Sequence, residues 1–298
     1  MSASYPVIEV KPEWIVNPED MGTKKKFWYY DPDQETKWLF KHPRSNTGEH
    51  WAEKIAAEVA SAAGIPHAKT ELALHENIRG SATETFARGG RALCHGNQLL
   101  KGIVEGYHLE SEKRHRQSHH TLDNIWKVAD VFFAEPDGAK KAKRFIASYL
   151  VLDALIGNTD RHHENWGVLL KRQGDDWHGM VAPSFDHASS LGRELLDPRR
   201  ARKMEANQVG DYAEKAHGAI YWSESDARGP SPLELVRRGA HKYPEIFRPA
   251  GAKLAKINES VIRRIVDSIP LDWMSPSARK FAVALMCYNL NTLQRTFP

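Results

Sequence analysis

Cysteine is almost absent from this sequence: its 298 residues include two, Cys94 and Cys287, far apart in the chain. A disulfide framework or a zinc site needs more cysteines at closer spacing, so neither is predicted, and a reducing cytoplasm is expected. The first ten residues, MSASYPVIEV, lack the basic stretch and apolar core of a secretory signal. The longest apolar run, residues 145–156, contains Asp153 and is too short to span a bilayer. No membrane association is therefore expected.

Long basic blocks and internal repeats are lacking as well. The net charge of +4 at pH 7 suits an anionic ligand, but nucleic-acid binding needs clustered cations. The basic runs at residues 24–26 and 199–203 are short, and helix-turn-helix signals are absent, so no direct nucleic-acid contact is expected. The hydrophobic fraction of 41% and the charged fraction of 27% are those of an ordinary globular protein. The length fits one two-lobed domain or two small ones.

The sequence does contain a distinctive polar turn, in ALIGNTDRHHENWGVLL at residues 154–170. Asp160 and Asn165 stand five positions apart within it. A phosphotransferase loop uses such a pair: the carboxylate accepts the proton of the substrate hydroxyl, and the amide oxygen binds magnesium on the nucleotide phosphates. This spacing also recurs by chance in polar segments, so the hypothesis needs a further residue.

Asp186, in APSFDHASSLG, supplies that further residue. Between Asn165 and Asp186 lie two apolar segments separated by KRQGDD, a pattern that predicts a β-hairpin. The two ends of a hairpin lie side by side, so Asp186 would stand next to Asn165 and both could bind one magnesium ion. The order of loop Asp, loop Asn, hairpin and second Asp is that of a kinase active site.

Lys41 and a following helix extend the pattern. Trp38 and Phe40 alternate in a predicted strand at residues 37–41, and a strand lysine can bind the nucleotide α- and β-phosphates. An exposed lysine at the end of a strand is the alternative. Apolar residues at helical spacing predict a helix over residues 48–63, closed by a glycine. Glu53 is the first choice as the partner of Lys41, with Glu49 one turn away as the rival.

Two further segments are candidates for nucleotide contact. Gly22, Thr23 and Lys24 stand between a turn and an aromatic strand, where backbone N–H groups can bind phosphate, although a plain charged hairpin has the same pattern. Strands are also predicted at residues 65–74 and 81–86, followed by a link between lobes near residues 84–90. Backbone groups from Glu84 to Phe86 are candidate contacts for the adenine edge.

Histidines are dense near the loop and in the preceding segment, residues 101–121. His162 and His163 are candidates to orient Asp160 or to contact phosphate, and a structural bond to the backbone is the equal alternative for each. A metal site can also be drawn from the histidines at positions 108, 115, 119 and 120. The Arg, Lys and Ser residues among them favour a solvated loop instead.

The remaining chain is predicted to be mainly helical, with helices at residues 122–133, 139–156, 233–239, 254–269 and 278–296. Residues 187–222 are the expected substrate segment. The sequence therefore predicts an α+β, two-lobed protein-kinase-like fold. A small lobe with an antiparallel sheet and one helix would occupy residues 1–100, and a larger helical lobe would occupy residues 101–298. The catalytic loop would span residues 157–165.

Five segments together resemble the HipA-type serine/threonine kinase family: GTKKKFWY, WLFKHPR, GEHWAEKIAAEVASAAGIPHA, LIGNTDRHHENWGVL and APSFDHASSLG. The family loop reads Gly-Asn-x-Asp-x-His-x-x-Asn, which residues 157–165 match position by position. The resemblance implies that Asp160 is the catalytic base, that Asn165 and Asp186 bind Mg²⁺, and that Lys41 positions ATP. Gly22 to Lys24 would form the phosphate loop.

The resemblance also has consequences for partners and regulation. Many family members are toxins that pair with a helix-turn-helix antitoxin and phosphorylate an aminoacyl-tRNA synthetase, so a protein substrate and an antitoxin are implied. The family's extra N-terminal subdomain has no counterpart here, which predicts a stand-alone kinase core. Thr23 is the hydroxyl nearest to the family's autophosphorylated serine. The alternatives are a small-molecule or phosphoinositide-type kinase and a nucleotide-binding pseudokinase scaffold.

Overall fold

A computed structural model of the chain describes residues 4–19, 25–107, 117–133 and 135–297. Within these residues the chain forms a six-stranded sheet, a three-stranded sheet and a set of helices. Most of the helices follow the larger sheet in sequence, and one lies directly against it. The α+β class predicted from the sequence is confirmed by this arrangement.

The larger sheet contains the first six strands, in the order β1-β5-β6-β4-β3-β2. These are β1 (Val7–Glu9), β2 (Ile15–Glu19), β3 (Lys26–Asp31), β4 (Thr36–Lys41), β5 (Thr70–His75) and β6 (Ile78–Glu84). Neighbouring strands run antiparallel, as predicted, except that β1 pairs with β5 in parallel. The strands predicted at residues 65–74 and 81–86 also included residues 65–69 and 85–86, but β5 begins at Thr70 and β6 ends at Glu84.

One face of this sheet has its own small apolar core. Trp38 and Phe40 alternate along β4 and are fully buried, as their spacing predicted. Phe27 and Tyr29 of β3 pack beside them, and the rings of Phe27 and Phe40 stack at 5.0 Å. The alternation places Lys41, the last residue of β4, on the opposite face of the sheet from Trp38 and Phe40.

Helix α1 (Glu49–Ala63) packs against β5 and β6. Gly48 precedes it, and a side chain at this position would collide with the ring of Trp51. Gly64 ends the helix with φ of +67°, a left-handed conformation that glycine adopts without strain, as the sequence predicted. Most residues of α1 are buried, because the helix lies between the larger sheet and the helical part of the chain.

The smaller sheet contains β7 (Ala92–His95), β8 (Gly167–Gln173) and β9 (Asp176–Val181), in that order. Strands β8 and β9 form the hairpin predicted between Asn165 and Asp186. After the link that the sequence predicted near residues 84–90, β7 pairs with β8 and leads into α2 (Gly96–Ile103). The chain thus changes sheets between Glu84 and Ala92, and the predicted domain boundary at residue 100 stays a prediction.

The helical part is built around α4 (Pro136–Ile156), whose C-terminal half is buried. Helices α3, α7, α8 and α10 contact it. The helices that follow α2 are α3 (Leu122–Phe132), α4, α5 (Asp197–Glu205), α6 (Val209–Glu214), α7 (Pro232–Lys242), α8 (Pro244–Gly251), α9 (Glu259–Asp267) and α10 (Pro276–Thr296). None of the helices in the described ranges has the length and apolar character that crossing a bilayer requires.

The sequence prediction was wrong at one place in this part, and it made no prediction of helices α5 and α6. A single helix was predicted over residues 254–269, but a short 3-10 turn and α9 occupy it. The side chain of Asn258 accepts the N–H of Val261 at 3.0 Å and starts a new helix there. Helices α5 and α6 lie within the expected substrate segment, where charged residues and sparse apolar residues hid their periodicity.

The segment between α9 and α10 also binds the larger sheet and α1 through hydrogen bonds and an ion pair. The N–H of Tyr5, just before β1, donates to the carbonyl oxygen of Ser268 at 2.7 Å. Arg79 of β6 pairs with Asp272 at 2.7 Å, and the ring of His50 on α1 donates to the carbonyl oxygen of Trp273 at 3.3 Å. Residues 268–273 therefore connect the C-terminal part of the chain to the sheet and to α1.

Candidate active site

The predicted catalytic loop begins where α4 ends. Gly157 has φ of +67°, which stops the helix. The side-chain amide of Asn158 then donates to Asp153 Oδ1 at 2.8 Å. The loop is thereby attached to the last turn of the buried core helix.

Arg161 fixes the middle of this loop. Its Nε and Nη2 each donate to an oxygen of the Asp153 carboxylate at 2.7 Å, and both side chains are almost completely buried. Burial would lower the pKa of Arg161, but the charge and hydrogen bonds of Asp153, with the charges of Asp186 and Glu53, together outweigh burial and raise the pKa. A buried bidentate pair of this kind is both strong and directional, so it sets the course of the loop.

The same guanidinium holds both ends of the hairpin. Arg161 Nη1 donates to the carbonyl oxygens of Asn165 at 2.6 Å and Phe185 at 3.1 Å. Asn165 precedes β8 and Phe185 follows β9, so one cation draws the two ends together. Asp186 follows Phe185 with φ of +56°, an uncommon conformation for a residue other than glycine. The structure thus brings Asn165 and Asp186 to one place.

Asp160 and Asn165 are in direct contact. The side-chain Nδ2 of Asn165 donates to the carbonyl oxygen of Asp160 at 2.8 Å, which leaves the amide oxygen as the end that can bind a cation. The N–H of Asp160 donates to Asn158 Oδ1 at 3.1 Å, and its Oδ2 accepts the hydroxyl of Ser189 at 3.4 Å. The pair singled out by spacing is therefore held by the loop's own hydrogen bonds.

Lys41 reaches this place from the larger sheet. Its Nζ lies 3.2 Å from Asp186 Oδ2. Burial by itself would lower the pKa of Lys41, but the negative charges of Asp186 and Glu53 outweigh it and the pKa is raised. Lys41 is therefore a cation at neutral pH, located where the sheet faces the catalytic loop.

The two glutamates proposed as partners of Lys41 have different surroundings. Glu53 accepts the N–H of His187 at 2.8 Å. Burial alone would raise the pKa of Glu53, but a hydrogen bond from the His187 side chain, whose Nδ1 lies 3.3 Å from Glu53 Oε1, and the charge of Lys41 lower it. Glu49 instead forms ion pairs with two arginines. The direct ion pair of Lys41 is with Asp186, so a Lys41–Glu53 pair stays a prediction.

The residues predicted to contact adenine lie at the end of β6. The carboxylate of Glu84 pairs with Lys69 at 3.2 Å and with Arg88, so its side chain is engaged at the sheet. The ring of Phe86 lies 5.3 Å from that of Phe185, next to the position of Asp186. Backbone contacts of Glu84 and Phe86 with adenine stay a prediction.

The predicted phosphate loop, Gly22, Thr23 and Lys24, lies outside the described residues. Strand β3, which follows it, pairs Lys26 with Lys41. A contact of Gly22 to Lys24 with phosphate therefore stays a prediction.

Comparison with known proteins decides the family. The profile of the HipA-like C-terminal domain matches residues 20–268, most of the chain. The chain belongs to the HipA-like C-terminal domain family. In sequence, this HipA-like chain is similar to the serine/threonine-protein kinase CtkA of Helicobacter pylori, with 27% identity over 148 residues. That alignment covers 49% of this chain and 42% of CtkA, so it spans less than half the length of this curated relative.

Solved structures show the same fold. The crystal structure of the Helicobacter pylori proinflammatory kinase CtkA matches with a TM-score of 0.75 at 20% identity, over 98% of both chains. HipA of Shewanella oneidensis MR-1, solved with HipB and its operator DNA, matches with a TM-score of 0.61 at 12% identity. That match covers 95% of this chain and 66% of the other. The kinase-like fold predicted from the sequence is confirmed.

The HipA-like loop offers oxygen ligands at the proposed metal position. Asn165 and Asp186 present an amide oxygen and a carboxylate, which suit Mg²⁺, an ion that usually takes one or two protein ligands plus phosphates and water. Across residues 4–19, 25–107, 117–133 and 135–297, no cluster of three or more His, Cys, Asp or Glu side chains is arranged to hold a metal alone. The donor set therefore fits a magnesium ion shared with a nucleotide.

The histidines of the loop bind protein groups. His162 Nδ1 accepts the N–H of Glu164 at 3.2 Å, and a phosphate contact of His162 stays a prediction. His120 accepts the indole N–H of Trp166 through Nε2 and donates through Nδ1 to the carbonyl oxygen of Ala219, both at 3.0 Å. With both nitrogens engaged, His120 has no lone pair for a metal. His108 and His115, also considered for that site, lie outside the described residues.

The buried position of His120 predicts that acid destabilises the protein. Burial, with the nearby His163, lowers its pKa to about 3, below the unfolded value of about 6.5. The unfolded chain therefore binds one more proton between these values. The free energy of unfolding should be fully retained above about pH 6.5 and fall below it, by up to about 1.4 kcal/mol per pH unit from this group.

Urea unfolding at a series of pH values checks this prediction. His120→Gln, whose amide both donates and accepts, should show a smaller loss of stability between about pH 6.5 and pH 5. His178→Gln, at an exposed position of β9, should keep the wild-type slope. An unchanged slope in His120→Gln would contradict the assignment.

Sequence reasoning missed the residues that hold the site together. Ser184 Oγ accepts a hydrogen bond from Arg161 Nη2 at 3.0 Å and forms another with His187 Nε2 at 2.7 Å. One indication was available: Asp153 stands within an apolar helix, and a buried carboxylate requires a cation. Arg161, eight positions later, was the nearest candidate. Ser189 and Arg193 gave no such indication.

Proposed function

We propose that this HipA-like chain is a serine/threonine protein kinase that transfers the γ-phosphoryl group of ATP to a protein hydroxyl. The observation that carries the proposal is the convergence of Lys41, Asp160, Asn165 and Asp186 around the loop held by Arg161. Similarity in sequence to the serine/threonine-protein kinase CtkA supports the same activity.

Each of these residues has a role that its surroundings support. Asp160 accepts the proton of the acceptor hydroxyl. Its contact with Asn165 keeps the base next to the metal ligand. Asn165 and Asp186 would hold Mg²⁺, which supplies positive charge to the phosphates when bound. Lys41, kept cationic by its neighbours, binds the α- and β-phosphates.

Glu53 is suited to steady Lys41 while the phosphates are bound. Its Oε2 is buried and has no hydrogen-bond partner among the described residues, whereas its Oε1 is held by His187. A buried acceptor of this kind is costly unless a donor reaches it. Lys41 would supply that donor once nucleotide and metal separate it from Asp186.

An open groove beside the loop offers room for the acceptor. Its volume is about 630 Å³, and Thr159 and Ser189 form the end next to Asp160. The other walls come from residues 193–217, which include α5 and α6. This is the segment that the sequence predicted to dock substrate, so we assign the acceptor protein to this groove.

Radiolabelling tests the proposal. Purified protein is incubated with γ-labelled ATP and magnesium, alone and with bacterial lysate, beside Asp186→Ala. Label on a protein band that is lost in Asp186→Ala is the expected result. Asp175→Ala, in the exposed turn of the hairpin, is the matched control and should keep the label.

Other outcomes identify the alternatives. Label in the small-molecule or lipid fraction would indicate a small-molecule or phosphoinositide-type kinase. Nucleotide binding without label in any fraction would indicate a pseudokinase scaffold. Either result would overturn transfer to protein.

Partners are proposed from the family. The Shewanella HipA was solved with HipB and operator DNA, so we propose an antitoxin protein as a partner of this chain and a role as the toxin of the pair. The family resemblance favours an aminoacyl-tRNA synthetase as the acceptor protein. The reaction would then take place in the cytoplasm. Capture on Asp160→Asn, which would bind substrate without turnover, followed by mass spectrometry, tests both. Recovery of neither protein would contradict this part of the proposal.

A further inference from the structure

Arg193 links helix α1 to the segment that follows Asp186. Its Nη1 donates to Glu49 Oε1 at 2.8 Å, and its carbonyl oxygen accepts the N–H of Gly48 at 2.9 Å. Side chain and backbone therefore both attach to the start of α1. The side chain is largely buried, so this attachment is shielded from solvent.

Glu49 is a firm anchor for this arginine. Its carboxylate also accepts the N–H of Arg44 at 3.1 Å and a hydrogen bond from Arg44 Nη1 at 3.2 Å, and the residue is 3% exposed. A buried carboxylate with several charge-assisted donors has little freedom to rotate. The position of the Arg193 guanidinium is therefore fixed by α1.

Ser189 carries the link to the catalytic loop. Arg193 Nη2 donates to Ser189 Oγ at 3.0 Å, and Ser189 Oγ donates to Asp160 Oδ2 at 3.4 Å. A hydroxyl has one proton, so an arginine donor on its oxygen directs that proton to the carboxylate. The carbonyl oxygen of Ser189 also accepts the N–H of Thr159 at 3.3 Å. Bonds of this length before substrate binds are common at catalytic groups.

We propose that Arg193 is a positioning residue that aligns the Asp160 carboxylate through Ser189 and makes this alignment depend on the position of α1. Holding one oxygen sets the plane of the carboxylate and so the direction of the other. The inference rests on the proposed function, in which Asp160 is the base. It adds that a movement of α1, which also carries Glu53, changes the alignment of the Asp160 base and the geometry of the nucleotide site together.

Kinetics of three variants test the inference. Arg193→Lys has one ammonium and lacks the planar fork that reaches Glu49 and Ser189 together. Arg193→Lys and Ser189→Ala should each lower kcat by about 10- to 100-fold. The KM for ATP should change by less than about twofold, because the nucleotide ligands are untouched. The double variant should resemble the single ones, since both changes break one link.

Two controls separate alignment from general damage. Ser189→Thr keeps the hydroxyl and has room beside the open groove, so it should restore most of kcat. Arg172→Lys, the same change at an exposed position of the β8–β9 hairpin, should behave as wild type. Multiplicative losses in the double variant, or unchanged kcat in Arg193→Lys, would overturn the inference.

Hydrogen exchange distinguishes failure of this inference from failure of the proposed function. In Glu49→Gln and Arg193→Lys, the amide of Thr159 should exchange faster than in wild type, because its bond to Ser189 loosens. This readout needs no activity. If the wild-type protein transfers no phosphate, the proposed function fails, and exchange at Thr159 still decides whether α1 is linked to the loop. Unchanged exchange would overturn the link.

Discussion

Asp160→Asn is expected to lower the turnover number for phosphoryl transfer by about 10²- to 10⁴-fold, the usual contribution of a general base. Asparagine has the same shape and can still accept the hydroxyl of Ser189, but it does not take up the proton of the acceptor. Nucleotide affinity should change little, because Lys41, Asn165 and Asp186 remain in place. Initial rates with labelled ATP, with nucleotide binding measured in parallel, check the prediction.

The matched control is Asp137→Asn, an exposed aspartate in the first turn of α4. It should keep wild-type turnover. Both variants should also keep the wild-type midpoint of urea unfolding. A lower turnover number would then not be caused by unfolding. Turnover in Asp160→Asn within a few-fold of wild type would remove Asp160 from the role of base.

Arg161→Met is expected to lower the free energy of unfolding by about 3–5 kcal/mol. The change leaves the Asp153 carboxylate buried without its cation and removes donors from the carbonyl oxygens of Asn165 and Phe185. Methionine fills much of the same space, so the loss comes from electrostatics and hydrogen bonds. Urea unfolding measures the effect.

A second substitution tests the cause. Asp153→Asn in the Arg161→Met background removes the uncompensated charge and keeps an oxygen for Asn158, so it should recover part of the stability. Arg172→Met, on the exposed hairpin, should change stability by less than about 0.5 kcal/mol. A loss of under about 1 kcal/mol in Arg161→Met would show that the pair does not hold the loop.

The sequence predicted the parts of the site whose chemistry fixes residue type and spacing. Asp160, Asn165 and Asp186 were chosen as candidates because proton transfer and metal binding need those groups, and a hairpin between Asn165 and Asp186 has a strong local pattern. Lys41 followed from alternation along one strand. Each of these predictions used contacts between residues close in the chain.

What the sequence did not predict depends on distant contacts. Strands β1 and β5 pair in parallel, and their paired residues are 65 positions apart in the sequence, as Val7 and Leu72 are. Helices α5 and α6 have little apolar periodicity, because charged residues fill their exposed faces. Arg193 and Ser189 are ordinary polar residues in the sequence. Their importance comes from bonds to Glu49 and Asp160, which only the folded chain brings near.

The attachments of the sheet to residues 268–273 have a consequence for synthesis of the protein. All six strands of the larger sheet leave the ribosome before the partners of Tyr5 and Arg79, Ser268 and Asp272, are made. At typical translation rates that interval is on the order of 10–40 seconds. During this interval the nascent sheet lacks its contacts with residues 268–273. We expect the nucleotide site to become rigid only when translation is nearly complete, so a growing chain would not yet act as a kinase.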